Sequence, residues 1–253
     1  MKATTQEIIE VQQMRAETYR FFARLFLKPL TEKDLDAIAA GGIAGEKTGS
    51  AQIDHGMKMM ANYLSRRNTG TCDQLNCDYT AAFYGVMTND GRVAIPYESA
   101  FEDANQRYMG AARAKVFNIF KHCSLKLLEG VDLPDDHISF MCEFMAIMAE
   151  RSIDELRQGN QVELAQNLAI QSAFLKTHIN NWFPALVREA DAILDQRFYK
   201  GALEAASAFF AEDEAILRDV EKATGAKDRS FALSDLEVGS CVQVKEERAS
   251  KAQ

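Results

Sequence analysis

The sequence predicts an all-α protein, and three observations support that class. Apolar residues recur at intervals of three and four along most of the chain, as they do on one face of a helix. No stretch shows the sustained alternation of a half-buried strand, and 14 glycines and 4 prolines are too few for a turn-rich β fold. The 253 residues, of which 47% are hydrophobic and 26% charged, can bury a substantial core.

Capping signals place the first two predicted helices. Thr4 and Glu7 have the spacing of a capping box, so the first helix should begin at Thr4 or Thr5 and end before Pro29. Thr31 should open the second helix. Capping and apolar spacing together predict helices over about 4–28, 31–40, 53–64, 71–83, 102–123, 134–158, 162–175, 186–194 and 200–222.

Three segments break the helical pattern. Residues 85–96 contain an Asn-Asp-Gly turn signal, and residues 125–133 have the character of a linker between two halves. The sequence from 224 to 253 is polar, mixed in charge and poor in aromatic residues. Because such a composition buries little apolar surface, we expect a disordered tail there.

Composition excludes several function classes. A net charge of −8 disfavours a nucleic-acid partner. No run of about eighteen apolar residues is present to span a bilayer. No apolar leader precedes the five cysteines, so we expect a cytoplasmic protein with reduced thiols. Cys72 and Cys77 have four residues between them and no second pair follows, which predicts no metal site.

Two short clusters anchored by proline are the best candidates for function. In the first, Tyr97 and Phe101 offer aromatic surface beside the carboxylate of Glu98, and Tyr84 adds to it from before the loop. Aromatic groups beside an acid suit the recognition of a peptide with a basic end. A purely structural alternative makes Ser99 the N-cap of the following helix.

The second cluster contains Pro134, Asp136 and His137 and opens a long predicted helix. Helical spacing places four carboxylates along one edge of this helix: Asp136, Glu143, Glu150 and Asp154. Such a row suits arginine side chains, which pair with carboxylates in bidentate geometry, and the alternative is a solvated helix face. His137 points to the opposite face, where it is either a ligand group or a neutral core residue. The methionines of that face either line a groove for an apolar peptide or fill the core.

Four stretches of the chain, in this order, resemble the TorD/DmsD family of redox-enzyme maturation chaperones. They are the aromatic-rich end of the first helix at 20–29, the block 78–85 followed by 96–99, the block 134–138 with 143–145, and the aromatic residues at 182, 198–199 and 209–210. The likeness extends over about residues 8–220.

The resemblance implies a fold of about ten helices. It implies a larger N-terminal lobe (1–124), a hinge (125–137) and a smaller C-terminal lobe (138–223), here followed by the tail (224–253). Peptide binding in the family is tied to positions that are occupied here by Pro96, Tyr97, Glu98, Ser99, Pro134, Asp136 and His137. With Tyr84, Phe101 and Glu143 added from the residue patterns above, these form the predicted binding site.

In function, the resemblance implies a cytoplasmic chaperone and not an enzyme. The implied partner is the precursor of a molybdopterin-containing oxidoreductase of the dimethyl-sulfoxide-reductase type. The chaperone would hold the partner's twin-arginine signal peptide and delay export until the cofactor is inserted. The resemblance also allows weak contact with a guanine nucleotide or molybdopterin, which no residue of this sequence locates, and a monomer or a lobe-swapped dimer.

Two other hypotheses come from different classes. Asp136, His137 and Glu143 could serve a small nucleotide- or metal-dependent enzyme, although no P-loop, glycine-rich phosphate cradle or nucleophile elbow accompanies them. A generic helical adaptor is the other alternative.

Overall fold

A computed structural model of the chain describes residues 3–43, 47–85, 94–102, 111–127, 132–227 and 231–238. Within these ranges the regular structure is helical apart from one isolated β-bridge, which confirms the all-α class. The helices are α1 (Thr5–Leu27), α2 (Glu32–Ala40), α3 (Ala51–Leu64), α4 (Thr71–Phe83), α5 (Ser99–Glu102), α6 (Ala111–His122), α7 (Ile138–Gln158), α8 (Gln161–Phe174), α9 (Phe183–Ile193), α10 (Arg197–Thr224) and α11 (Ser234–Glu237). A π-helical turn (Leu175–Ile179) joins α8 to the segment before α9.

Capping boxes begin the first two helices as the sequence predicts. The Glu7 amide donates to Thr4 Oγ1 at 3.2 Å, and the Thr4 amide donates to Glu7 Oε2 at 2.6 Å. Thr31 and Asp34 repeat the arrangement at the start of α2. Each box satisfies two amides that have no partner within the helix.

Several predicted boundaries differ from the structure by a few residues, and two larger differences bear on the site. The helix expected from Pro134 begins at Ile138, because the residues before it form a turn and the β-bridge. Residues 231–238, expected to belong to a disordered tail, include α11, which packs on α6 and buries Leu233. The turn predicted at 89–91 and the residues of the tail beyond 238 lie outside the described part of the chain.

Two long helix pairs dominate the packing. The first pair is α1 lying along α7, and the second is α3 crossing α10. The second crossing depends on two glycines, since a Cβ on Gly201 would lie 2.5 Å from the Gly56 carbonyl oxygen and one on Gly56 would lie 2.4 Å from the Gly201 oxygen. The expected division into two lobes at 125–137 stays a prediction. The pair of α1 and α7 joins helices from before and after that segment.

A buried polar network ties α1 to α10. Arg15 and Asp213 have no exposed side-chain surface, and the guanidinium donates from Nε to Oδ1 at 2.6 Å and from Nη2 to Oδ2 at 2.8 Å. Tyr19 donates to the same carboxylate at 2.7 Å, and Gln171 accepts from Arg15 Nη1 at 2.8 Å. Because every charged group has a partner, the ion pair can lie in the core and hold the helices in one register.

Candidate functional site

The structure brings the two proline-anchored clusters together. Tyr97 and His137 form the antiparallel bridge, and their rings meet edge to face with centroids 5.0 Å apart. The Glu98 amide donates to the Asp136 carbonyl at 3.1 Å, and the Ile138 amide donates to the carbonyl of Pro96 at 2.9 Å. The two clusters therefore form one site, although 37 positions separate Ser99 from Asp136 in the chain.

The polar members of the site are buried and bonded within the chain. Asp136 is fully buried, and its Oδ2 accepts from the Ser99 amide at 2.9 Å, at the start of α5. Asp136 Oδ1 has no hydrogen-bond partner among the described residues. Pro96 is buried as well. These side chains fix the geometry of the two segments, so they reach a ligand only if the segments open.

His137 is the N-cap of α7. Its Nδ1 accepts a hydrogen bond of 3.1 Å from the Ser139 amide, which requires a neutral ring nitrogen at that position. The side chain is buried, and burial lowers the pKa of His137 to about 3. Of the two roles considered for His137, the neutral core residue agrees with this geometry.

The aromatic members of the site face outward in part. Tyr84 is 58% exposed, and its ring meets Tyr79 edge to face at 5.5 Å. Tyr97 and Pro134 are half-buried. Phe101 is half-buried and stacks on Trp182 at 5.6 Å. The accessible surface of the site is therefore aromatic, with Tyr84 as its most exposed ring.

A buried glutamate and histidine lie behind this surface. Glu98 is fully buried, and both of its carboxyl oxygens lie 2.9 Å from Nδ1 of His178. Burial, followed by the nearby carboxyl of Glu102, raises the pKa of Glu98 to about 10. Burial also lowers the pKa of His178. Burial therefore favours the uncharged form of each group, and Glu98, which is bonded to His178, is not a free acid for a basic peptide.

Sequence patterns did not identify His178 as a site residue. It lies in the π-helical turn, where one extra residue per turn shifts the side chains relative to an α-helix. An apolar spacing of three and four does not reveal such a shift. The approach of His178 to Glu98, 80 positions earlier in the chain, is a tertiary contact that has no local signal.

The predicted row of carboxylates on α7 is shorter than expected. Asp136 is not part of it, because its side chain is buried against Ser99. Glu143 and Glu150 are on the surface, with 45% and 44% of their side chains exposed, and Asp154 is more exposed still. Phe140 and Ile147 are half-buried beside them, spaced by three and four residues, and together these five residues form what we refer to as the α7 stripe.

An arginine of the chain itself already occupies the α7 stripe. Arg20 of α1 pairs with both oxygens of Glu150, with Nη2 to Oε2 at 2.6 Å, and its Nε lies 3.4 Å from Oε1 of Glu143. The hydrogen bond from Arg20 lowers the pKa of Glu150. Glu143 and Glu150 are thus placed so that a single guanidinium can pair with both, and an arginine from another molecule could be held in the same way.

The methionines of α7 belong to the core. They are at most 2% exposed: Met141, Met145 and Met148. The groove interpretation is wrong for this face, because α1 and α8 cover it. Met57 and Met59 of α3 remain half-buried.

The enzyme alternative finds no assembled site. The Asp136 side chain bonds to Ser99, His137 caps α7, and Glu143 lies beside Arg20. Over the described ranges, no three His, Cys, Asp or Glu side chains are placed to hold a metal ion. None of the described helices has both the length and the apolarity to cross a bilayer.

Two comparisons with known sequences place the chain in one family. The sequence profile described as nitrate reductase delta subunit matches residues 50–188, more than half of the chain. The chaperone protein TorD of Vibrio cholerae serotype O1 is 24% identical over 226 residues, which cover 87% of this chain and 99% of that protein. TorD of Vibrio vulnificus is 26% identical over 209 residues, covering 81% and 94%.

A crystal structure of a candidate redox enzyme maturation protein from Archaeoglobus fulgidus is also similar. It has a TM-score of 0.44 and 18% identity, and the match covers 81% of this chain and 94% of that chain. We draw no conclusion from this likeness, because the TM-score is low.

Proposed function

The chain belongs to the nitrate reductase delta subunit family, and from this premise we propose that it is a redox-enzyme maturation chaperone, with the client and the binding surface described below. The proposed client is an apo-molybdoenzyme of the dimethyl-sulfoxide-reductase type. The chaperone binds the client's twin-arginine signal peptide in the cytoplasm, assists cofactor insertion and delays export until the client is mature. Its role is binding, without a reaction of its own.

The observation that carries this proposal is the pairing of Arg20 with Glu143 and Glu150. Arg20 is held by two carboxylates on an exposed helix face, and an arginine of a bound twin-arginine peptide could make the same contacts there. All three side chains are more than 40% exposed, so the internal pair contributes only about 0–1 kcal/mol. A client arginine can therefore replace Arg20 at little cost in free energy.

The apolar part of a signal peptide has a surface at the N-terminal end of the α7 stripe. Phe140 lies three residues before Glu143, and its ring is 5.6 Å from His137. The Tyr97 ring also contacts His137, at 5.0 Å, and Tyr84 of the same site is exposed. We assign direct contact to these aromatic residues, with Phe101 and Pro134 at the edge.

The buried members of the site act by position. Pro96, Glu98, Ser99, Asp136 and His137 hold the two segments in register through the backbone bonds described above. Substitutions there should weaken peptide binding through the shape of the surface and lower stability at the same time. Substitutions of Tyr84 or Glu143 should weaken binding alone.

Isothermal titration calorimetry with two synthetic peptides tests the proposal. One carries the twin arginines and an apolar segment, and the other has lysines in their place. We expect the arginine peptide to bind roughly tenfold more tightly, because a planar guanidinium forms bidentate bonds that an ammonium cannot. Affinity should also fall with salt, since the pairs are at the surface.

Three variants localise the binding. Glu143→Gln together with Glu150→Gln should weaken the arginine peptide by about tenfold or more, and Arg20→Gln should strengthen it by removing the competitor. The matched control is Asp219→Asn, an exposed acid on α10 that pairs with Lys222 away from the stripe. Equal affinity for both peptides, or an unchanged affinity in the Glu143/Glu150 variant, would exclude the α7 stripe as the binding surface.

A further inference from the structure

A short amphipathic segment covers α6 beside the buried Glu98–His178 pair. The segment is 231–238 and includes α11. Leu233 is 8% exposed, and Phe231 and Leu236 pack partly buried against the core. Asp235 faces solvent. Apart from the exposed Val238 at its end, the large apolar side chains of the segment are therefore turned inward, and Asp235 is turned outward.

One glutamate anchors the segment through charge. Glu237 Oε2 lies 3.4 Å from Lys115 Nζ, and Oε1 lies 3.4 Å from Nε2 of His178. Asn118 Nδ2 donates to the Glu237 carbonyl at 2.8 Å. The glutamate side chain is only 16% exposed, so the contact places a carboxylate in a partly desolvated site.

The fit of Glu237 to His178 is incomplete. The Nε2 atom is buried, the Glu237 carboxylate approaches it only to 3.4 Å, and among the described residues this nitrogen has no hydrogen-bond partner that meets the distance and angle of a good hydrogen bond. The His178 side chain is 1% exposed. A buried polar atom without a partner costs free energy, and a better-placed carboxylate would recover it.

The segment is also held weakly by its own structure. α11 has four residues, which is far below the length at which a helix is stable in isolation. Its position depends on three apolar side chains, the contacts of Glu237 and a 3.4 Å approach of His122 Nε2 to the Val238 carbonyl oxygen. Such a segment can leave and be replaced without disturbing the helices beneath it.

We propose that this face of α6, with His178, is a docking site for an acidic amphipathic segment of a partner protein, and that residues 231–238 are its built-in competitor. The site selects apolar residues at the spacing of 231, 233 and 236, followed by a carboxylate that meets Lys115 and His178. It is separate from the α7 stripe and selects the opposite charge, so it goes beyond the binding of a twin-arginine peptide.

The probe is a fluorescein-labelled peptide with the sequence of residues 231–238, added to the full chain. In the wild-type chain it competes with a tethered segment whose effective concentration is on the order of millimolar, so binding should be weak. A chain carrying Leu233→Ala and Leu236→Ala loosens the tethered segment. We expect it to bind the peptide at least about tenfold more tightly, as measured by fluorescence anisotropy.

Two altered peptides test the role of the carboxylate on the loosened chain. The Glu237→Gln peptide should bind about tenfold more weakly, because it loses a charge-assisted contact. The Asp235→Asn peptide removes an acid that faces solvent, and its affinity should not change. When Lys115→Gln is added to the loosened chain, the affinities of the parent peptide and the Glu237→Gln peptide should become nearly equal.

Hydrogen exchange checks that the two substitutions release only residues 231–238. Residues 231–238 should exchange faster there, while α7 and α10 keep their protection. The proposal is overturned if the peptide binds the loosened chain no better than wild type, or if the Glu237→Gln peptide binds as tightly as its parent. Titration of the twin-arginine peptide on the same chains reports the α7 stripe separately, so failure of one surface does not imply failure of the other.

Discussion

Replacement of Asp213 by alanine should destabilise the protein strongly. The substitution leaves Arg15 buried with its Nε and Nη2 donors unpaired, and only Nη1 keeps partners. Breaking a buried ion pair from one side costs about 3–5 kcal/mol. The Tyr19 hydroxyl loses its acceptor as well, but this loss belongs to the same network and does not simply add.

A cycle of substitutions separates the charge effect from packing. Arg15→Met with Asp213→Leu replaces the pair by apolar side chains, and such replacements are often neutral or stabilising. With Tyr19→Phe added to remove the unpaired hydroxyl, this variant should be clearly more stable than Asp213→Ala. The Gln12 and Gln171 oxygens lose their Arg15 donor in it, so we expect a residual loss of about 2–3 kcal/mol relative to wild type. Asp219→Ala is the control on the same helix, because Asp219 is 75% exposed and its pair with Lys222 should contribute less than about 1 kcal/mol.

Urea unfolding followed by far-ultraviolet circular dichroism measures each variant. The urea concentration at the midpoint should fall sharply for Asp213→Ala and hardly change for Asp219→Ala. The dependence of the unfolding free energy on urea concentration should stay the same, since neither substitution changes how much surface unfolding exposes. The reasoning would be refuted if the two single variants lost similar stability. It would also be refuted if the apolar replacement were as unstable as Asp213→Ala, since the loss would then come from packing.

Three further predictions concern backbone contact and protonation. Gly201→Ala should lower the melting temperature markedly, because its Cβ would meet the Gly56 carbonyl at 2.5 Å and push α3 from α10, whereas no loss in a thermal melt would mean that the helices separate freely. The pKa of His137 is lowered from 6.5 to about 3, so between these pH values only the unfolded state binds the proton. The free energy of unfolding should therefore fall as the pH is lowered from 6.5 to 3, and His137→Asn should make this fall smaller. The pKa of Glu98 is raised from 4.5 to about 10, so the folded state holds a proton that the unfolded state loses, and stability should decline as the pH rises above 4.5. Glu98→Gln, which imitates the protonated carboxyl, should therefore compare more favourably with wild type at pH 8 than at pH 5, and the reverse order would mean that Glu98 and His178 form an ionised pair.

The main helices, and the starts of α1 and α2, could be read from the sequence. The capping boxes at Thr4 and Thr31 are local, because each bonds residues three positions apart. The apolar spacing is also local, and it predicts which face of each helix is buried. The likeness to a chaperone family, carried by ordered blocks of residues, was likewise available before any coordinates.

The sequence also indicated that the clusters around Tyr97 and His137 belong together, but not how. Side-chain type identified Glu98 and Asp136 as acids, and an acid is exposed by default. The structure buries both, and on that ground we propose that they position the site and do not contact the peptide. Only the packing of α5, α7 and the π-helical turn decides that.

Residue spacing and capping by themselves determined the all-α class and the main helices, because each depends on neighbours within a few residues, and the ordered blocks of residues supplied the resemblance to the family. Tertiary structure alone decided that Arg20 reaches Glu150 130 positions away, that His178 lies against Glu98, and that residues 231–238 cover α6. Contacts between distant segments depend on how whole helices pack, and no local pattern encodes that.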